Sequence, residues 1–283
     1  MEIRAYGKVN LALDVIGKRQ DGYHLLKMIM QTVDIYDVLT FKKGSKGITI
    51  TSNKEFVPTD ERNLVYKAIM LFCNTYNVEP AIEVNIQKNI PVEAGMAGGS
   101  TDAAASLKAM RDLYAPEITN EELMKISVKI GADVPYCING GTALCEGIGE
   151  IITPLKPFEN KLLLVVKPNF GVSTVGTYKA FKIDEIKEHP NVEKLVLAVE
   201  DNDMKYVAHN MGNLLEMVTT REHPEINQIK NIMVDMGAEG AMMSGSGPTV
   251  FGLFESIEKA EKCAKELKNN YKEVFVTRTV TPV

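Results

Sequence analysis

Hydrophobic and polar residues alternate strictly through Ile82-Glu83-Val84-Asn85-Ile86, the period of a strand with one buried face. Leu162-Leu163-Leu164-Val165-Val166 is apolar throughout and gives way to Lys167-Pro168, which fits a central strand ended by its proline. Val250 to Phe254 and Val274 to Thr277 read as further strands. Elsewhere the apolar spacing lengthens to three and four. Thr119 and Glu122 form a capping box ahead of Leu123, Ile126 and Ile130, and Gly131 predicts a left-handed helix stop. Pro224 fits the first turn of a helix that carries Ile226, Ile229, Met233 and Met236 on one face and ends at Gly237. Ala260, Cys263, Ala264 and Leu267 predict the buried stripe of a last helix.

Strands and helices mix through both halves without regular alternation, so an α+β fold is expected in preference to a doubly wound sheet. Two prolines in Thr153-Pro154-Leu155-Lys156-Pro157, just ahead of the apolar run at 162, mark the expected boundary. It separates an N-terminal domain, 1–155, from a C-terminal domain, 156–283.

Composition narrows the functional classes. Of 283 residues, 45% are hydrophobic and 24% charged, ample for packed cores and far from low-complexity disorder. The formal net charge of -5 disfavours nucleic acid as a partner, which needs a surplus of Lys and Arg on one face. Cys73, Cys137, Cys145 and Cys263 lie far apart, and the four His are scattered, so no zinc spacing exists. Reduced thiols, an N-terminus without an apolar signal core and no run near the roughly 18 apolar residues of a membrane span lead to the expectation of a cytoplasmic protein with no membrane partner.

Chemistry concentrates in Pro91-Val92-Glu93-Ala94-Gly95-Met96-Ala97-Gly98-Gly99-Ser100-Thr101-Asp102. It follows the strand at 82–86 and runs into Ala103-Ala104-Ala105-Ser106-Leu107, a sequence of high helix propensity. Strand, small-residue loop and helix start make a phosphate cradle: glycines allow close backbone approach, and the free N–H groups of the first turn point at the anion. The spacing fits neither a Walker A loop nor a dinucleotide fingerprint. A tight turn packed with glycine, or Ser100 and Thr101 acting only as helix caps, are the plainer readings of the loop alone. Lys8 lies in the strand-like run Ala5-Tyr6-Gly7-Lys8-Val9-Asn10-Leu11, where an ammonium is costly unless it faces a polar cavity or reaches solvent at an edge. Ser244-Gly245-Ser246-Gly247-Pro248 is a second tight loop before a strand.

Together these segments resemble the GHMP kinase superfamily, which carries a glycine-rich P-x-x-x-G-L-G-G-[GS]-S-S-type loop and a late S-G-S-G-P-type loop. The resemblance spans essentially the whole chain, in the same order. Asp21-Gly22-Tyr23-His24, Gly131-Ala132-Asp133-Val134-Pro135 and Glu146-Gly147-Ile148-Gly149-Glu150 narrow it to the branch acting in the non-mevalonate isoprenoid pathway. Met96 and Ala97 stand where Leu and Gly are more usual, and Glu93, an added negative charge, is expected to face solvent or the nucleoside.

The resemblance implies an N-terminal domain like the second domain of ribosomal protein S5 and a C-terminal ferredoxin-like domain. It implies transfer of the ATP γ-phosphoryl group, with Mg²⁺, to the 2-hydroxyl of 4-diphosphocytidyl-2-C-methyl-D-erythritol. Pro91 to Thr101 would hold the ATP phosphates, with Ser100 or Thr101 beside the metal. Asp133 would be the general base and Lys8 its cationic partner, the two converging at the terminal phosphate. Tyr23, His24 and Tyr178 would hold the cytidine, and Asn10 the substrate hydroxyls. Ser244 to Gly247 would approach the substrate. The rival readings are a kinase of the same superfamily acting on homoserine, mevalonate or a sugar, a nucleotide-binding regulator without turnover, and an RNA-binding module. The presence of both Lys8 and Asp133 opposes the second, and the acidic balance opposes the third.

Overall fold

The computed structural model describes residues 1–282. The first elements are strands β1 (Glu2–Lys18), β2 (His24–Lys43) and β3 (Gly47–Ser52), helix α1 (Leu64–Tyr76), strand β4 (Ala81–Gln87) and helices α2 (Gly98–Tyr114), α3 (Asn120–Ser127) and α4 (Val134–Asn139). Strands β5 (Thr142–Gly147), β6 (Ile151–Pro154) and β7 (Leu162–Lys167) follow, then helices α5 (Thr174–Ala180), α6 (Val192–Glu200) and α7 (Met204–Asn210) and the short strand β8 (Gly212–Asn213). Helices α8 (Glu216–Glu222) and α9 (Glu225–Asp235), strands β9 (Gly240–Met243) and β10 (Val250–Phe254), helix α10 (Ile257–Leu267) and strand β11 (Glu273–Arg278) complete the chain.

Two compact units result, and both draw on β1 and β2. The first comprises Met1–Gly7, Ile35–Ile90 and Ala97–Asn139. In it β4 pairs antiparallel with the second half of β2 and parallel with β3. The alternation read in the sequence turns Ile82, Val84 and Ile86 inward, where they meet Leu39, Phe41, Val65, Ile69 and Phe72. Each such side chain contributes about 1.5–3 kcal/mol on full burial. Helix α2 is buried at Ala103, Ala104, Ala105, Leu107, Ala109 and Met110, around most of its circumference, which explains why it is built of small residues. The capping box forms as predicted, with the Glu122 N–H donating to Thr119 Oγ1 and the Thr119 N–H to Glu122 Oε2. The predicted left-handed stop at Gly131 does not form. Helix α3 ends at Ser127, and the amides of Lys129, Ile130 and Gly131 close turns onto Ile126 and Ser127, which satisfies the end without positive φ at Gly131.

The second unit comprises Lys8–Asp34, Pro91–Met96 and Gly140–Val283. Here β5 pairs antiparallel with β2 and with β6, and β8 lies parallel to β1 at Ala12 and Leu13. A separate antiparallel sheet runs β11-β7-β10-β9. Its inner strands β7 and β10 are buried from Leu162 to Val166 and from Val250 to Phe254, as their uninterrupted apolar runs require. Helix α9 buries Ile226, Ile229 and Met233 and ends ahead of Gly237, whose φ of 100° suits glycine alone; Pro224 sits at the N-cap, one position before the first turn. Helix α10 buries Ala260, Cys263, Ala264 and Leu267. The α+β expectation holds.

Candidate active site

The glycine-rich segment turns into α2 through an unusual cap. Ala97, where the related loops favour glycine, takes φ 59° and ψ 27° and holds the N-cap position without a side-chain hydrogen bond. Ser100 and Thr101 therefore stand inside the first turn and are not caps. Thr101 is buried and its hydroxyl donates to the Tyr6 carbonyl at 2.7 Å, whereas Ser100 is half-buried. The first-turn amides of a helix lack intrahelical acceptors and the turn carries no acidic residue, an arrangement suited to a polyphosphate. A Cβ at Gly98 would lie 3.1 Å from Lys88 Nζ and from Ile90 Cγ2, so the interior side of that position is already filled. At Gly95 (φ 70°) a Cβ would overlap the Ser244 carbonyl oxygen. Glu93 is exposed and reaches over Gly171, in keeping with a carboxylate turned from the phosphates.

Beneath α2 lies a buried ionic cluster that periodicity could not reveal. Lys88 Nζ donates to Asp37 Oδ2 at 2.5 Å and to Asp102 Oδ2 at 2.6 Å. Burial would lower the Lys88 pKa, but the two carboxylates outweigh it and raise it. Burial holds the Asp102 carboxyl well above the usual carboxylate range, against the pull of Lys88.

In the second unit Lys8 is buried, and its ammonium donates to Asn10 Oδ1 at 2.7 Å and to the Gly95 carbonyl at 3.0 Å. Its charge is thus held by polar partners away from solvent. Ser244 Oγ donates to the same Gly95 carbonyl at 3.0 Å, so the late loop and the glycine-rich loop share one acceptor. Asn213, unremarked in the sequence, braces the late loop by donating to the carbonyls of Met243 and Gly245, both at 2.8 Å. Asn10 is fully buried and its amide reaches Met28 Sδ at 3.5 Å.

His24 opens β2 and is buried against two rings: Tyr178 stacks on it at 5.4 Å and Phe181 meets it edge-on at 5.7 Å. Burial first, and then the Lys18 charge, lowers its pKa, so the imidazole is neutral at pH 7. Tyr23 is 60% exposed. The structure thus brings His24 and Tyr178 together and leaves the Tyr23 ring largely in solvent. Phe181, three residues beyond Tyr178, escaped notice because an aromatic on α5's flank carries no motif. Asp133 is half-buried in the turn that leads into α4, and its carbonyl accepts the Cys137 N–H at 3.0 Å.

Among the described residues, no group of three or more His, Cys, Asp or Glu forms a cation site. A magnesium ion that arrives on ATP needs only one or two protein oxygens beside the phosphates. Half-buried Ser100 fits that requirement better than Thr101, which is buried.

The GHMP kinases N terminal domain signature matches residues 63–141, and the GHMP kinases C terminal signature matches 193–273. The 4-diphosphocytidyl-2-C-methyl-D-erythritol kinase of Clostridium botulinum is 57% identical over 277 residues, covering 98% of this chain and 99% of the relative. That of Clostridium novyi is 56% identical over 280 residues, covering 99% and 100%. A crystal structure of 4-(cytidine 5'-diphospho)-2C-methyl-D-erythritol kinase superposes with a TM-score of 0.84 at 29% identity over the whole of both chains. Homoserine kinase from Cytophaga hutchinsonii superposes with a TM-score of 0.76 at 22% identity, covering 98% of this chain and 95% of that one, which speaks for the fold alone.

Proposed function

The chain belongs to the 4-diphosphocytidyl-2-C-methyl-D-erythritol kinases of the GHMP kinase family, and from that premise we propose how its residues divide the work. The protein is an ATP-dependent phosphotransferase that phosphorylates the 2-hydroxyl of 4-diphosphocytidyl-2-C-methyl-D-erythritol in the non-mevalonate isoprenoid pathway. The observation that carries the division of roles is the buried Lys8 ammonium, held by Asn10 and the Gly95 carbonyl at the glycine-rich loop.

Phosphoryl transfer asks the protein for alignment and charge neutralisation more than for covalent chemistry. Pro91 to Thr101 hold the polyphosphate through backbone amides at the start of α2. Ser100 would help the phosphates hold a magnesium ion, which would supply charge neutralisation. Lys8 stabilises the oxyanion that develops on the transferring group. Asp133 receives the proton of the attacking hydroxyl. A tertiary alcohol is far less acidic than a carboxylic acid, so this transfer is late and coupled to bond formation. His24, neutral and packed by Tyr178 and Phe181, offers a hydrogen-bonding edge and an apolar wall to the cytosine, and Tyr23 folds over it from solvent. Asn10 orients the methylerythritol hydroxyls. We place the reaction in the cytoplasm, where ATP is supplied and Cys73, Cys137, Cys145 and Cys263 remain thiols; among the described residues no helix is long and apolar enough to cross a membrane.

A coupled ADP-release assay with the cytidine-diphosphate substrate beside homoserine and mevalonate tests the assignment. We expect kcat/KM for the first to exceed the others by about 100-fold or more. Comparable turnover of homoserine or mevalonate would overturn it. In the same assay Asp133→Asn lowers kcat by about 10²–10⁴-fold with ATP KM little changed; a near-normal kcat removes Asp133 from the proton path.

A further inference from the structure

Lys88, Asp37 and Asp102 tie together three places that surround the nucleotide loop. Asp37 lies on β2, Lys88 and its two followers form the entry to the loop, and Asp102 lies on α2 just beyond its exit. Lys88 Nζ bridges the two carboxylates, with Lys88 6%, Asp37 0% and Asp102 4% exposed. The other oxygen of Asp37 accepts the backbone N–H groups of Asn89 at 2.6 Å and Ile90 at 2.8 Å. Asn53 grips the Lys88 backbone itself, accepting its N–H at 2.8 Å and donating to its carbonyl at 3.4 Å. The ammonium lies directly behind Gly98, the first residue of α2.

Stability alone is a poor reason for such a cluster. Burying one cation with two carboxylates leaves a desolvation cost that apolar residues of similar size would avoid. Asp102 Oδ1 is buried with no hydrogen-bond partner, a further cost. What the cluster provides is position: it fixes where the chain enters the loop and where α2 begins.

We propose that Lys88, clamped by Asp37 and Asp102, is a positioning residue for ATP binding, holding the two ends of the glycine-rich loop in register. The proposal rests on the ATP-loop reading above and assigns no contact with substrate to any of the three side chains.

Lys88→Met and Asp37→Asn test it, each compared with wild type for ATP KM and acceptor KM. Asp37→Asn keeps an oxygen for the Asn89 and Ile90 amides but turns a like dipole on the ammonium. Both variants should raise ATP KM about tenfold while acceptor KM stays within about twofold. An unchanged ATP KM in a folded variant, whatever happens to kcat, overturns the proposal, and so does a parallel rise of both KM values, which a merely structural role would give. If neither variant folds, hydrogen exchange on the wild-type protein decides. ATP should slow exchange at the Asn89 and Ile90 amides, because coupling between site and clamp is reciprocal; unchanged exchange there overturns it. Wild-type turnover beside indifferent variants defeats the clamp alone, whereas a wild type that consumes no ATP with any acceptor defeats the kinase reading.

Discussion

At Ala97 the chain accepts a left-handed backbone that its side chain resists. Residues with a Cβ lose roughly 1–2 kcal/mol in this region, and a glycine there would lose about 0.4–1 kcal/mol through the freer unfolded chain. Ala97→Gly should therefore stabilise the protein by about 0.5–1 kcal/mol, read as a higher urea midpoint with an unchanged m-value. A lower midpoint would show that the alanine methyl makes packing contacts worth more than the strain. Gly98, its neighbour, is glycine for a different reason. Its backbone is ordinary, but a Cβ would press on Lys88 Nζ and Ile90 Cγ2 from within. The loop's small residues thus answer to an interior face already occupied, and on the other side to the anion we propose they bind.

Elements built on local signals were legible in the sequence. Strand β4 follows from alternation, β7 and β10 from unbroken apolar runs, α3 from its capping box, and the buried faces of α9 and α10 from helical spacing. Strand β1 was harder, because Lys8, Asn10 and Asp14 interrupt its apolar pattern while being buried themselves. Buried polar residues on a strand destroy the very periodicity that identifies it. The clamp was invisible for another reason: Lys88 stands 51 residues from Asp37 and 14 from Asp102, and no spacing rule joins them. Phe181 and Asn213 were missed likewise, since their roles arise only when the chain folds back on His24 and on the late loop. The loop, Lys8 and His24 were visible because their residue types are costly or distinctive where they stand.

For the molecule as a whole, the expected boundary between an N-terminal domain, 1–155, and a C-terminal domain, 156–283, falls within a stretch of chain that belongs to one compact unit on both sides. After β6 the chain enters the segment 155–161, which is held throughout. The Leu155 and Phe158 amides donate to Thr142, Asn160 and Lys161 donate to Thr279, and the Phe158 ring is fully buried. Proteolysis needs local opening, and a segment so bonded opens rarely. Thermolysin should therefore spare the bonds before Leu155 and Phe158 in the native protein, while it cuts them in urea. Rapid native cleavage there would show a loose linker.

The meshing of Gly95 with Ser244 carries a consequence for inhibitors. No side chain fits at position 95, and the acceptor that Lys8 and Ser244 share is main chain, which mutation cannot delete. A compound that draws its affinity from the backbone at this turn would leave few single-codon routes to resistance.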